Sequence, residues 1–569
     1  MVISPPAADV PHARHAAERA HPKLLRAFWL IAVLAIVAAV AQGLVLRAWY
    51  IGHIPITSDE AVGGLMAIGI QHGHLPALYW GQTYGGVEPY LTALLFFVLP
   101  TNGVTLQFTA VLLDVAATVV IWRLALRLLT DRVMAAGVAA VAFLIPLSTI
   151  IDLSQVYGFR GVTFLATFVV LLLATRIEQG SDTLLSFAVL GLVGGIGWWS
   201  SPEIVYGLVG ALFIAAVPLW RSGGAGARLA RLGAAVGAFL IGSAPWWWVS
   251  FHDHFGTLSA KMSYSSTFSG RLGVFFNDEL PLQFGLIRFN DPVGLLVPRA
   301  GVRHDVALAV IIILVAAAAI AAIRAGGARR GIGLTMLVTP LLFATSPATW
   351  YWVDGRYGVY LTPLLVLTLG IGLERLLVWG RLSLSSTSVL TVGRSAVIVV
   401  LALAMTYTSW QFGWWSTTLA SSRGPLLSGY TASDGEFKPL AEALAADGIR
   451  TGWADYWNAY RLDFLSGAVL HLSPTPNDSE RNKAYGQEAR QSSSSIWLIV
   501  GPPNAAKNGP ALNDPAPGLQ TWGTLRQRFI AHHISWNIRE IRGVWIIAPT
   551  TAVNPSAIGL GAGPHHTGN

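Results

Sequence analysis

Ala27-Phe-Trp-Leu-Ile-Ala-Val-Leu-Ala-Ile-Val-Ala-Ala-Val-Ala-Gln-Gly-Leu-Val-Leu46 holds no charged residue. A helix needs about 20 such residues to cross the ~30 Å hydrocarbon layer of a bilayer. Arg14, Arg19, Lys23 and Arg26 precede the run. A basic start followed by Ala39-Val-Ala41 is also the pattern of a cleaved leader. The apolar run continues past that site to Leu46, which favours a retained span. Further largely apolar runs lie near residues 105–126, 133–150, 161–175, 184–200, 203–220, 232–250, 305–323, 331–346, 358–378 and 395–414. The expected architecture is therefore an α-helical polytopic membrane protein with about eleven transmembrane helices.

Composition agrees. Of the 569 residues 53% are hydrophobic and only 12% charged, where a soluble domain carries about 25%. Soluble enzymes, disordered chains and coiled-coil rods are excluded. The 22 Trp, 23 Phe and 15 Tyr suit long membrane–water boundaries. With no cysteine, disulfides, thiolate zinc sites and cysteine nucleophiles are excluded. The net charge of +8 is read as membrane topology, with no nucleic-acid partner. Arg123, Arg127, Arg132, Arg176, Arg221, Arg228, Arg231, Arg324, Arg329, Arg330, Arg375, Arg381 and Arg394 all fall on one side if the spans alternate, and the positive-inside rule makes that side the cytoplasm. The segment Ile51–Val104 has no Lys or Arg and faces out. A plasma (inner) membrane protein is expected, its N-terminus cytoplasmic and its C-terminal domain extracytoplasmic.

The domain plan is a cytoplasmic segment 1–26, a membrane module 27–418 with long outer segments 51–104 and 251–304, an α/β domain 419–551, and a disordered tail 552–569. In the α/β domain, Phe437–Asp447 reads as a helix capped by Gly448, Leu519–Ile534 as a second helix, and Ile496–Val500 and Val544–Ile547 as buried strands.

The chemistry is expected in the first outer segment. In Thr57-Ser-Asp-Glu-Ala-Val-Gly-Gly-Leu-Met-Ala-Ile-Gly-Ile-Gln-His-Gly73, Ala61, Leu65, Ile68 and His72 recur at helical spacing. Thr57-x-x-Glu60 fits a capping box, and Asp59 and Glu60 complement the helix dipole. Capping does not preclude catalysis, since a carboxylate at a helix start beside lipid headgroups is well placed as a general base. In Tyr79-Trp-Gly-Gln-Thr-Tyr-Gly-Gly-Val-Glu-Pro-Tyr90, aromatic faces with Gln82, Tyr84 and Glu88 suit a sugar ring; an interfacial aromatic belt is the alternative.

These residues carry a resemblance. Asp59-Glu60 after the first span, then Gly81-Gln-x-Tyr-Gly-Gly-x-Glu88, resembles bacterial membrane glycosyltransferases of the GT-C fold. The nearest branch groups protein O-mannosyltransferases with aminoarabinose transferases, the family-39-like superfamily. Asp354-Gly-Arg-Tyr-Gly-Val-Tyr-Leu-Thr-Pro-Leu364 resembles its Arg-Tyr-x-x-x-x-x-Pro segment. Gly452-Trp-Ala-Asp-Tyr-Trp-Asn-Ala-Tyr-Arg-Leu462 resembles part of the outer C-terminal domain of related proteins. The resemblance implies a polyprenyl-phosphate sugar donor, inversion at the anomeric centre, Asp59 as base and Glu60 as its neighbour or support. The acceptor it implies is a hydroxyl of a protein, lipid or cell-wall glycan. Mannose, arabinose and aminoarabinose donors all fit.

A phosphate leaving group needs a cation. Arg356 is the first candidate and Arg160 the second; Lys261, Arg271 and Arg288 are weaker. A headgroup-anchoring role is the plainer reading of Arg356. His72 is kept among the sugar or acceptor contacts, although with His74 it also reads as polar surface. His252-Asp-His254 gives no predicted metal site. Some relatives use a divalent cation, so a metal at Asp59 stays open without being predicted. Trp198-Trp199 and Trp246-Trp-Trp248 read as belt anchors, and Ser201-Pro-Glu203 as a helix cap with no catalytic role for Glu203. Asp114, inside a span, must face the bundle interior. A transporter or flippase of lipid-linked sugars, and a non-catalytic membrane scaffold, are the alternatives; the absence of a repeat and the surface position of the acids favour the enzyme.

Overall fold

The computed structural model describes residues 11–221, 224–258, 267–284, 288–289, 296–297, 302–346, 349, 357–380, 386–421, 434–474, 480–500, 522–541 and 544–560. Its membrane part contains α1 (Pro11–His53), α2 (Ser58–Gln71), α3 (Val87–Phe96), α4 (Gly103–Leu128), α5 (Arg132–Leu144), α6 (Leu147–Asp152), α7 (Arg160–Glu178), α8 (Leu184–Ser200), α9 (Val205–Arg221), α10 (Ala225–Gly242), α11 (Ala244–His252), α12 (Phe268–Val274), α13 (Leu280–Gln283), α14 (Val302–Ala325), α15 (Gly327–Thr345), α16 (Leu361–Gly380) and α17 (Ser386–Ser421). A short antiparallel pair, β1 (Arg288–Phe289) and β2 (Leu296–Val297), lies between α13 and α14.

Each of the eleven apolar runs falls on a helix. Eight helices among the described residues are long and apolar enough to cross a membrane, so the chain is a multi-pass membrane protein. The other three runs are α5 and α8, with 13 and 17 residues, and α15, which opens on Arg329 and Arg330. Two boundaries differ from expectation. The run 133–150 breaks at Ile145-Pro146, because proline carries no N–H to continue the helix, and restarts as α6. The run 232–250 begins seven residues earlier: Gly224–Arg231, read as a basic loop, supplies the first turns of α10, and the tryptophans follow in the separate α11.

The basic loops meet at one end of the bundle. Arg127 bonds Gln179 at 2.8 Å, Arg329 donates to the Leu128 carbonyl at 2.6 Å, and Arg394 pairs with Asp131 at 3.4 Å. The loop with Asp59 lies at the other end, as the alternation of spans requires. Within the bundle, Arg47 of α1 pairs with Asp114 of α4 at 2.6 Å and donates to the Gly43 and Phe143 carbonyls at 3.0 Å each. Asp114 is thus turned inward and neutralised, which is the condition for a carboxylate at that depth.

The C-terminal domain contains α18 (Asp434–Ala446), β3 (Thr451–Ala454), α19 (Tyr456–Leu465), β4 (His471–Pro474), α20 (Lys483–Gln491), β5 (Ile496–Val500), α21 (Trp522–Ala531), β6 (Trp536–Ile541) and β7 (Val544–Pro549). The sheet order is β4-β3-β5-β7-β6, parallel through the first three strands and antiparallel through the last two pairings. Side chains alternate across it. Ala454, Leu498 and Ile546 join a core with α18 and α19, while Trp453, Trp497 and Ile547 join one with Leu525 and Phe529 of α21. Gly448 has φ +83°, the left-handed turn expected after α18. The expected disordered tail 552–569 is corrected for its first part. Val553, Ile558 and Leu560 are buried in the Trp453–Trp497 core, because apolar residues spaced through a Gly/Pro-rich stretch still cover an open sheet face. Residues 561–569 lie outside the described residues.

Candidate active site at the seam of the two domains

Thr57 accepts from the Glu60 N–H at 3.2 Å, and Glu60 Oε2 accepts from the Thr57 N–H at 2.7 Å. The capping box therefore exists, and it occupies one oxygen of the fully buried Glu60. Asp59, one residue earlier, points about 100° away around the helix and stays partly exposed, at 23% of its side chain. The two acids are neighbours in sequence with separate surroundings.

Asp59 faces the C-terminal domain. Its Oδ1 accepts from the Tyr456 hydroxyl of α19 and lies 3.4 Å from Arg481 Nη2. Its backbone carbonyl accepts from the Tyr79 hydroxyl. Oδ2 takes part in no hydrogen bond among the described residues. Burial, then the Asp59 charge, pushes the Tyr456 pKa up, so Tyr456 remains a donor. Burial works against the Arg481 charge, but the Tyr456 oxygen and the Asp59 carboxylate outweigh it and raise its pKa.

Gln82 joins this group. With its amide oxygen turned toward Arg481, it accepts from Nη1 and, at 3.0 Å, from Nη2. The loop that carries Gln82 is pinned. Trp199 Nε1 donates to the Ala77 carbonyl at 2.5 Å, Trp246 Nε1 to Thr83 at 3.0 Å, and the Tyr90 hydroxyl to Pro76 at 3.1 Å. Trp246 is 1% exposed. These two tryptophans, read from sequence as belt anchors, instead hold the Gly-rich loop by its backbone carbonyls; a Trp run at a span end looks the same for either role.

Beneath α2 lies a buried polar layer. Glu88 opens α3, a ten-residue helix too short to cross the bilayer. It is 0% exposed, and burial raises its pKa to about 8. The charges that reach it are those of Arg160 and Glu60. Arg160 is buried at the first position of α7, where the helix dipole disfavours a cation. Asp152 at 3.5 Å and the face of Tyr157 at 4.4 Å offset that. Tyr84 sits edge-on to Phe159 at 4.7 Å. Glu60, Glu88 and Arg160 are thus brought together, while Asp59 and Gln82 meet at Arg481. His72 is not part of the group: it ends α2, bonds the Ile68 carbonyl at 2.8 Å, and is thirteen residues, or about 20 Å, of helix from Asp59.

Arg356, with Asp354 before it, lies outside the described residues, as does Lys261. The described part of that segment, Tyr357–Leu364, meets the second outer segment: Thr362 donates to Gln283, which bonds Glu279 at 2.6 Å. Glu203 is capped by Ser201 as expected, and also accepts from the Tyr360 hydroxyl at 2.7 Å. Arg271 donates to the Ala344 carbonyl at 2.7 Å. No group of three or more His, Asp or Glu side chains able to hold a metal occurs among the described residues. The cation beside Asp59 is the Arg481 guanidinium. Tyr456, Arg481 and Tyr79 were not singled out from sequence. Tyr456 lay inside the Gly452–Leu462 motif; Arg481 lay in no motif.

Comparison with solved structures bears on the whole architecture. ArnT from Cupriavidus metallidurans in the apo state superposes with a TM-score of 0.55 at 13% identity, over 93% of this chain and 99% of that one. The chain has the GT-C fold. ArnT bound to undecaprenyl phosphate gives the same TM-score at 14% identity and the same coverage. An Archaeoglobus fulgidus oligosaccharyltransferase, in complex with Zn and sulfate, aligns at 13% identity and TM-score 0.44, over 81% of this chain and 67% of that one. No family model and no curated protein matches the sequence.

Proposed function

We propose that the chain is an inverting membrane glycosyltransferase. It moves a sugar from a polyprenyl-phosphate donor to an acceptor hydroxyl at the outer face of the cell membrane. The observation that carries this reading is Asp59: a partly exposed carboxylate at a helix start, on the end of the bundle away from the basic loops, with one oxygen held and the other open. The likeness in fold to ArnT bound to undecaprenyl phosphate supports the lipid donor.

In the proposed step the acceptor oxygen attacks the anomeric carbon as its proton passes to Asp59 Oδ2. The bond from that carbon to the phosphate oxygen breaks, polyprenyl phosphate leaves with the electron pair, and the configuration inverts. Negative charge grows on the phosphate, and Arg160, or Arg356, is assigned to stabilise it. Gln82 and Tyr84 are assigned to the sugar or acceptor; the complete burial of Glu88 and the position of His72 argue against including them. The acceptor class and the sugar follow from assay.

The test uses the full chain in nanodiscs with radiolabelled polyprenyl-phosphate mannose, arabinose and aminoarabinose, and cell-envelope extract as acceptor. Wild type is expected to release polyprenyl phosphate from one donor. Asp59→Asn is expected to lose about 10²–10⁴-fold in rate, the usual worth of a general base. Equal release by both proteins removes Asp59 as base. Donor binding without release points to a transporter or scaffold.

A further inference from the structure

We propose that Tyr456 and Arg481 of the C-terminal domain are positioning residues for Asp59, so that this domain is part of the reaction site rather than an appended binding module. The inference rests on the reading of Asp59 as the base.

Three observations carry it. The first is which oxygen is held. The Tyr456 hydroxyl and Arg481 Nη2 both converge on Oδ1. Two donors on one carboxylate oxygen fix the rotation of the group and aim the other oxygen in one direction. A general base needs that aim, because proton transfer requires hydrogen-bond reach to one particular hydroxyl.

The second is that the clamp is itself held. The Arg481 N–H donates to the Tyr460 hydroxyl at 2.7 Å, Nε to the Tyr456 hydroxyl at 3.2 Å and Nη1 to the Gly81 carbonyl at 3.4 Å, and Gln82 takes the same guanidinium. Tyr460 accepts the Asn482 N–H as well, at 3.0 Å. A long side chain on a surface loop ordinarily keeps rotamer freedom; here the backbone of Arg481 is fixed by Tyr460 and its guanidinium by residues of both domains. That is the supporting layer a precise site requires.

The third is that the seam is shaped for the clamp. On α2, a Cβ at Gly64 would lie 2.4 Å from the Phe464 ring of α19. Gly81 has φ +68°, and a Cβ there would lie 2.9 Å from Arg481 Cδ and 3.1 Å from its Cα. The two glycines let α19 and the Arg481 loop approach the backbone of the membrane module. Ser58, beside Asp59, donates to the Tyr456 carbonyl. The clamp residue is therefore tied to α2 by its backbone and by its hydroxyl.

The experiment measures steady-state rates in nanodiscs with the donor that wild type uses. Tyr456→Phe keeps the ring and removes one oxygen; Arg481→Ala removes the cation. Each is expected to lower kcat by about 100-fold, the usual consequence of a misplaced catalytic group, with KM for the donor within about twofold. Arg481→Lys is expected to restore part of kcat, and millimolar methylguanidinium to restore part of the Arg481→Ala rate. If Arg481→Ala does not fold, Tyr456→Phe decides. Wild-type kcat in Tyr456→Phe or Arg481→Ala overturns the proposal, as does a loss confined to KM or one that neither lysine nor methylguanidinium relieves. Asp59→Asn in parallel separates the two readings. An active Asp59→Asn removes the base itself, whereas an inactive one beside fully active clamp variants removes only the clamp.

Discussion

Arg47 and Arg481 each hold an aspartate from a distant part of the chain, Asp114 and Asp59, and the two pairs are built differently. The Arg47–Asp114 pair is 2.6 Å long, with side chains 2% and 3% exposed, and the remaining guanidinium donors are spent on two backbone carbonyls. The Arg481–Asp59 pair is 3.4 Å long, with side chains 16% and 23% exposed, and leaves one carboxylate oxygen open. In both, the donors fall on one carboxylate oxygen, Oδ2 of Asp114 and Oδ1 of Asp59; the first pair is buried throughout and joins α1, α4 and α5. Where the unbonded oxygen is sealed inside the bundle, the pair only holds helices together; where the pair is partly exposed, that oxygen is left within reach.

The largest effect that tests this contrast comes from the buried pair. Arg47→Met leaves the Asp114 carboxylate buried and alone. Removal of one partner of such a pair costs about 3–5 kcal/mol. A marked fall in Tm is expected, with the rate per folded molecule unchanged, and the double variant with Asp114→Leu is expected to regain most of the loss. A change in rate without a change in Tm would erase the distinction between the pairs.

A smaller effect concerns Glu88, which makes no ion pair among the described residues. Its pKa of about 8 lies above the ordinary 4.5. Its neutral form is the one the fold accepts, so its contribution to stability is whole below about pH 4.5 and declines as pH rises toward 8. Glu88→Gln is expected to flatten the fall in Tm across that window. An unchanged Tm–pH curve would mean that Glu88 is charged in place. The smallest effect is at His72: among the described residues its ring bonds only the helix that carries it, and His72→Ala is expected to change the rate by less than about twofold, as an exposed substitution should. A tenfold loss would return it to the site.

Local pattern reaches some of these features and misses others for a physical reason. The apolar runs, the Thr57–Glu60 capping box and the helix ending at Gly448 are set by residues a few positions apart, so each was readable. The start of α10 was hidden because Gly224–Arg231 mixes arginines with small residues, which suits a loop and the polar end of a span alike. Trp199 and Trp246 were read as lipid anchors because the carbonyls they bond lie 122 and 163 residues away. The buried tail at Val553–Leu560 looked unstructured because its partners are on β3 and β5. Arg481 is the extreme case, 422 residues from the aspartate it holds.

That separation has a consequence for biosynthesis. Asp59 leaves the ribosome early, before α3 to α17 have been made, while Tyr456 and Arg481 emerge only when the chain is nearly complete. A chain arrested at any earlier stage carries the acid without the groups that aim it. If Asp59 is the base proposed above, full assembly is thereby a condition of turnover, and a half-inserted intermediate has no aimed base with which to act.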